Sequence, residues 1–392
     1  MSSKRDPLQN AFNLTPSISL KHRIVLAPMT RMRASDTGLP HPRTAEYYAS
    51  RAAPGGFLIS EALEIHPRGK GFLHTPGIFA EAQIEAWKPV TAAVHKKGGI
   101  FFAQLCHPGR VAVPSQNGGF PPLSSTPKPL PGNHPNFGQD NSIGEPYVES
   151  QAMSLSDISD VTSQFVLAAQ NAVRAGFEGI EIHAANGYLF DQFLHDNIND
   201  RTDRYGGSIE NRTRFLLETV DAIGKEIGCE KVGVRLAPWY RQKGTEDSDR
   251  IGTFSKMAGA LDRRGLAYVH LIEPRYDLGE RNSLAKESGP VDAGKVFKGL
   301  EVSLWPFRRV LKNTPVIGAG GYDAVIAREA LDEGRVDLAA FGRPFTSNPD
   351  LVRRIFGGLP LTKYDRKTFY TQGMEGYLGW KTWEEEENGE LK

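Results

Sequence analysis

Short apolar runs recur along the chain at intervals that leave room for a helix between them. They are IVLAP from Ile24, GFLIS from Gly56, IFFAQL from Ile100, GIEIHA from Gly179, VGVRLA from Val232, YVHLIE from Tyr268, PVIGAG from Pro315 and VDLAAFG from Val336. The intervening segments repeat their apolar residues with helical rather than strand period and carry start and stop signals. The third helix is expected to open at Ser156, in SDISDVTSQFVLAAQNAVRAG, and to stop at Gly176. The fourth should begin near Ser208, and the seventh, YDAVIAREALDEG, should close at Gly334. Eight strand-like runs, each followed by a helix-like one, predict a closed (β/α)8 TIM barrel of the α/β class. It would be one domain over residues 1–392, with an N-terminal extension ahead of the first strand. The alternative, an open doubly wound sheet, ordinarily uses fewer strands. Residues 107–151 follow neither period and are rich in Pro, Gly, Ser and Asn, which marks an excursion after the third strand that caps one barrel end. The aromatic tail (Tyr364, Phe369, Tyr370, Tyr377, Trp380, Trp383) should mostly pack, and the final EEEENGELK should lie in solvent.

Side chains alternate between the two faces of a strand, so each run divides into a helix-facing and a barrel-facing set. In GIEIH, Ile180 and Ile182 face the helices while Gly179, Glu181 and His183 face inward. In VGVRLA, Val232, Val234 and Leu236 face outward and Arg235 inward; in IFFAQL, Phe102 shares a face with Gln104. Barrel interiors are normally filled by branched apolar residues, and unpaired polar groups there are costly. A lone inward histidine reads as a satisfied core residue. Gln104, His183 and Arg235 on consecutive strands, each near the C-terminal end where barrels keep their chemistry, read as a site. Arg235 cannot shed its charge, so it needs either Glu181 on the neighbouring strand or an electron-rich ligand that gains negative charge.

Composition narrows the function classes. A net charge of +1 in 392 residues leaves no basic excess for nucleic acid or an anionic membrane, and 39% hydrophobic with 24% charged residues is ordinary for a globular protein. The two cysteines, Cys106 and Cys229, are too few for a disulfide framework or a four-thiolate metal site. The N-terminal MSSKRDPLQNAFNL has no signal-peptide core and no apolar run is long enough to span a bilayer, so a cytoplasmic location is expected. Glycines end the last two strands, at GAGG (Gly318, Gly320, Gly321) and FGRP (Gly342, Arg343). Glycines end many strands, but paired with Arg343 these would let backbone N–H groups and a cation approach a phosphate.

Six motifs then carry a resemblance that runs nearly end to end: LAPMTRMRA from Leu26, HAANGYLFDQFL from His183, NDRTDRYGGSIENRTRF from Asn199, EPR from Glu273, FGRPFTSNPDL from Phe341 and KYDRKTFY from Lys363. The chain resembles the Old Yellow Enzyme family, flavin-dependent ene-reductases built on a β/α barrel. The resemblance implies noncovalent FMN and NADPH as hydride donor. Thr30, after Pro28 and Met29, would bond the flavin C4 carbonyl, with Ala62 nearby. Gln104 would meet the pyrimidine edge, Arg235 the N1 and C2 carbonyl region, and Gly320, Gly321, Gly342 and Arg343 the phosphate. In the implied reaction, hydride passes from flavin N5 to the β-carbon of an α,β-unsaturated carbonyl or nitroalkene. His183 and Asn186 would hold the activating oxygen as an oxyanion hole does, Tyr188 would protonate the α-carbon, and Tyr370 would line the substrate pocket.

Bland readings stand beside these roles. Asn186 would serve as a helix N-cap, Gly187 as a turn residue and Tyr188 as packing. Asp196, Asp200 and Asp203 have carboxylate spacing, but ion pairs with Arg201, Arg204 and Arg212 explain them without a metal. The chain also departs from the family pattern. Cys106 stands where many relatives carry tryptophan, which should open the substrate pocket, and Ala62 where glycine is common. His66 and His74 follow the second strand, and the loop after Glu273 matches nothing. Two other readings remain: a dedicated biosynthetic reductase or isomerase acting on one specialised enone or enal, and a flavin-binding protein without turnover. The partner expected is a small activated alkene, with no nucleic acid and no membrane, and the protein itself a monomer or homodimer.

Overall fold

The computed structural model describes residues 5–135, 143–274 and 301–390. Eight parallel strands close into a barrel: β1 (Ile24–Leu26), β2 (Phe57–Glu64), β3 (Ile100–Cys106), β4 (Gly179–Ala184), β5 (Val232–Leu236), β6 (Tyr268–Ile272), β7 (Val316–Ala319) and β8 (Leu338–Phe341). Each apolar run of the sequence supplies one strand. Register puts the inward polar residues side by side: Gln104 opposite Glu181, His183 opposite Arg235, and Arg235 opposite His270.

The two faces separate as alternation requires. Ile180, Ile182, Val232, Val234 and Leu236 join the core beneath the helices. At the other end of the strands, Val25, Phe57, Phe102, Tyr268, Ile317 and Leu338 fill the interior. The N-terminal extension seals that end. Its antiparallel hairpin, Phe12–Thr15 with Ile18–Leu20, adds Leu14, Ile18 and Leu20 to the same cluster. Each such side chain contributes roughly 1.5–3 kcal/mol on full burial. Packing is thus concentrated at the N-terminal end of the barrel and polarity at the C-terminal end.

Helices α1 (Thr44–Arg51), α2 (Glu81–Lys96) and α3 (Leu155–Arg174) surround the first strands. The third opens at Leu155 rather than Ser156. Ser154 Oγ accepts from Asp157 N at 3.1 Å and Asp157 Oδ2 accepts from Ser154 N at 2.8 Å, a reciprocal cap that satisfies two otherwise unpaired N–H groups. A short helix, α4 (Leu189–Leu194), follows β4, and α5 (Ile209–Ile227) starts after the N-cap Ser208, as its sequence predicts.

The excursion contains strands too short to show a period. Leu123–Ser124 pairs in parallel with Gln151–Ala152, and Asn133–Pro135 pairs antiparallel with Ile143–Pro146. Buried Gln192 of α4 fastens it to the barrel. Its oxygen accepts from Arg110 N (3.1 Å) and Ser124 Oγ (2.9 Å), and its nitrogen donates to the Pro108 and Gly187 carbonyls (3.0 and 2.8 Å). The polar loop after α4 is pinned by Arg201 to Asp203, Arg204 to Glu218, Arg212 to Asp196 at 3.3 Å and Lys128 to Asp200 at 3.0 Å. The acidic tail is not simply solvated. Trp383–Glu390 is helical, and Glu384 and Glu386 pair with Arg353 and the buried Arg354, each at 2.9 Å. The loop after Glu273, for which the sequence suggests no role, lies from residue 275 outside the described residues.

Candidate active site

At the C-terminal ends of the strands lies a cavity of about 340 Å³. Its wall includes Pro28, Met29, Thr30, Ala62, Gln104, His183, Asn186, Tyr188, Arg235, Gly320, Gly321, Gly342, Arg343 and Tyr370. Of the site residues singled out in the sequence, Gly318, within β7, falls elsewhere, as does Cys106. The latter borders a second cavity of about 30 Å³, whose wall shares Thr30, Ala62 and Tyr188 with the first. Cys106 therefore faces a recess beside the main cavity rather than the main cavity itself.

The floor is a buried polar network. Glu181 Oε1 accepts from Gln104 Nε2 at 2.7 Å, and its Oε2 lies 2.8 Å from His270 Nδ1. Burial alone would raise the Glu181 carboxyl, but His270, Arg235 and Gln104 together hold it below the ordinary glutamate value. Because its nitrogen is committed to Glu181, Gln104 keeps its amide oxygen as an acceptor. Glu181 thus orients Gln104 and neutralises part of the Arg235 charge, which reconciles the two readings of that arginine. His270 escaped the sequence reading, although the same alternation along YVHLIE places it inward.

Above this floor, His183 and Asn186 bring unsatisfied polar atoms to the wall. His183 Nδ1 and Asn186 Oδ1 are buried and have no hydrogen-bond partner among the described residues. Burial, with the positive charges of Arg235 and Lys243, holds the His183 imidazole well below 6.5, so it is neutral at physiological pH. Asn186 is not a cap: the N-cap of α4 is Tyr188, which makes no side-chain cap bond. Instead Asn186 sits at φ +60°, a left-handed conformation that asparagine tolerates better than most residues, and so turns its carboxamide inward. The Tyr188 ring packs edge-on against His183 at 4.8 Å, and burial pushes its phenol well above 10. It is a protonated acid over the working range.

The far end of the cavity suits an anion. Gly320 adopts φ +122°, and a Cβ there would sit 2.9 Å from that of Glu273, so only glycine fits. Gly321 lies close to the Arg343 guanidinium, and Arg343 Nη1 donates to Tyr364 OH at 3.3 Å. One cavity thus holds a cation and a glycine cradle at one end, Arg235 and Gln104 on its floor, and unsatisfied donors and acceptors above. This donor set fits a phosphorylated, electron-accepting ring cofactor.

A third group was hidden in the first motif. Buried Arg31 donates to the Gly376 carbonyl at 2.9 Å and to Tyr47 OH at 2.9 Å. Arg33 donates to the carbonyls of Phe369 (2.7 Å), Thr368 (2.8 Å) and Glu375 (3.1 Å). Together they clamp the C-terminal segment that carries Tyr364, Phe369 and Tyr370 to the cavity.

Comparison with known proteins identifies the family. The NADH:flavin oxidoreductase / NADH oxidase family matches residues 11–362. 12-Oxophytodienoate reductase 2 of Arabidopsis thaliana is 42% identical over 375 residues, 93% of each chain. 12-Oxophytodienoate reductase 1 of Oryza sativa subsp. japonica is 42% identical over 379 residues, covering 95% of this chain and 93% of that one. Among solved structures, an old yellow enzyme homologue from Zymomonas mobilis superposes with a TM-score of 0.84 at 37% identity, over 95% of this chain and 99% of that one. Morphinone reductase in complex with tetrahydroNAD gives 0.83 at 38% identity, over 96% and 97%.

Proposed function

The chain belongs to the Old Yellow Enzyme family of FMN-dependent flavin oxidoreductases, and from that premise we propose that it uses NADPH to reduce the activated C=C bond of α,β-unsaturated carbonyls or nitroalkenes. The observation that carries this reading is the convergence of His183, Asn186 and Tyr188 on one cavity with Arg235 beneath them. Thr30, Gln104 and Arg235 would hold the FMN ring, and Gly320, Gly321, Gly342 and Arg343 its phosphate; bound there, FMN would supply the hydride for the β-carbon, drawn from the nicotinamide.

The protein's own residues do the rest. His183 and Asn186 bind the activating oxygen and stabilise the charge that develops on it; donors fixed in a water-poor site do this without reorganising. Tyr188 delivers its proton to the α-carbon, and Tyr370 closes the substrate side. The plant relatives, named as reductases of an unsaturated oxo-acid, support a carbonyl-activated alkene as substrate. The recess at Cys106 favours, as a second reading, one specialised enone or enal with a substituent that enters it. No helix among the described residues is long and apolar enough to cross a membrane.

Anaerobic titration with NADPH followed by 2-cyclohexenone tests the proposal. The flavin band should bleach and then recover. Bleaching without recovery would reject simple enones, and a protein that cannot bind FMN would reject the reading as a whole.

A further inference from the structure

Tyr188 has a neighbour that neither the motifs nor the proposed roles include. The Lys243 ammonium lies over the face of the Tyr188 ring, with Nζ 4.0 Å from the ring centroid. The approach is built in. Lys243 takes a left-handed backbone conformation, φ +57°, unusual for lysine. Its stem fills the space that glycine leaves at position 187: a Cβ on Gly187 would be 2.8 Å from that of Lys243 and 3.0 Å from its Cδ. The loop is fixed on either side, since Arg110 Nη2 donates to the Lys243 carbonyl at 3.1 Å and Asn197 Nδ2 to the Gly244 carbonyl at 2.7 Å. Among the described residues no carboxylate comes within ion-pair distance of Lys243, so its charge is directed at the ring.

We propose that Lys243 is a positioning residue for the proton-transfer step, its ammonium stabilising the negative charge that Tyr188 acquires as it gives up its proton. The inference rests on the reading of Tyr188 as the acid of an ene-reductase. In that step the Tyr188 O–H bond breaks and its electron pair stays on the phenolate oxygen. The proton forms the new C–H bond at the α-carbon, and solvent later returns a proton to the phenolate. A cation over the ring face attracts the phenolate more strongly than the phenol, so it lowers the barrier to transfer without touching the substrate.

The surroundings give the step a pH signature. Burial pulls Lys243 down to about 8, so it is charged below that pH and neutral above it. Of the other groups around it, His183 on β4 and His134 of the excursion are held below 6.5 by burial. Cys106 on β3 is pushed up to about 12, Arg110 stays cationic, and Asp191 of α4 is bonded to Gly187 N and His195. Glu64, across the small cavity beside Cys106, is pushed up by burial to about 8 and is the competing source of a change at that pH, while buried Glu61, which accepts from Arg31 N, is pushed up to about 7 and titrates lower.

The test is rapid-mixing kinetics of the two half-reactions on the FMN-loaded enzyme, with NADPH and then 2-cyclohexenone, across this pH range. In the wild type, reoxidation by enone should slow as pH rises through about 8. Lys243→Met should slow reoxidation about tenfold at neutral pH, the equivalent of one pKa unit, and abolish the inflection, with flavin reduction unchanged. Lys243→Arg, cationic throughout, should keep the fast rate and lose the inflection; if the Met variant loses its flavin, the Arg variant alone decides. Glu64→Gln should retain the inflection. Unchanged reoxidation in Lys243→Met, equal slowing of both half-reactions, or an inflection that disappears only in Glu64→Gln would overturn the proposal. A wild type that no enone reoxidises would instead bring down the functional reading on which it rests.

Discussion

Tyr188→Phe keeps the ring that packs on His183 and removes the hydroxyl that carries the proton. Reoxidation by enone should fall by about 10²–10⁴-fold, the contribution typical of a positioned acid, while reduction by NADPH is unaffected; stopped-flow traces of the two steps check this. At the other end of the cavity, Gly320→Ala would force a Cβ to 2.9 Å from that of Glu273 in a conformation alanine resists. FMN release, followed by the recovery of flavin fluorescence on dilution, should accelerate at least severalfold. Residues of both kinds were legible in the sequence where a strand imposed its alternation: His183, Arg235 and Gln104 were placed by period alone. Lys243 and Tyr364 were not, because they sit on loops, where no period tells which way a side chain points. Asn186 lay between. Its motif made it conspicuous, but only its positive φ shows why the carboxamide faces the cavity rather than capping α4.

At the scale of elements, the eight strands and the N-cap of α5 could be read from the chain, whereas the start of α3 was missed by one residue. That helix begins where Ser154 and Asp157 cap each other, a local bond that outranks the apolar spacing used to place it. The excursion was seen only as a gap in the pattern, since strands of two to four residues are too short to alternate. The clamp between the β1 loop and the tail was invisible for a different reason: Arg33 and Thr368 are separated by 335 positions, and only the fold brings them together. Arg33→Met would leave several tail carbonyls without their charged donor, a loss of about 3 kcal/mol. Chemical denaturation should show the lower stability. Trypsin should cut the loosened segment at Arg366 or Lys367 faster than in the wild type, and KM for enone should rise as Tyr370 loses its support.

For the molecule as a whole, buried ionisable groups set an optimum. His22 and His107 are pulled by burial from 6.5 to about 4 and about 3. Unfolding lets them take up protons, so they destabilise the fold as pH falls below 6.5, by roughly 3 kcal/mol for His22 and roughly 5 kcal/mol for His107 once the shift is fully expressed. Glu64 acts in the opposite sense. Its carboxyl, raised from 4.5 to about 8 and bonded to Thr75, is protonated in the fold where the unfolded chain would ionise it, so stability falls as pH rises from 4.5 to about 8. Thermal unfolding should therefore be most resistant near pH 6.5, and Glu64→Gln should flatten the alkaline side and steepen the acid side between pH 4.5 and 6.5.

The clamp made by Arg31 and Arg33 also bears on how the enzyme is made. Translation delivers Arg33 ahead of its acceptor Thr368 by 335 positions. A ribosome still holding Thr368 to Gly376 in its exit tunnel carries a barrel that can already be sealed beneath by the hairpin of Phe12–Thr15 and Ile18–Leu20 but has no upper wall on the substrate side. Cofactor capture in its finished form therefore waits until that segment emerges. A message truncated before the KYDRKTFY codons should yield a barrel with a permanently open mouth.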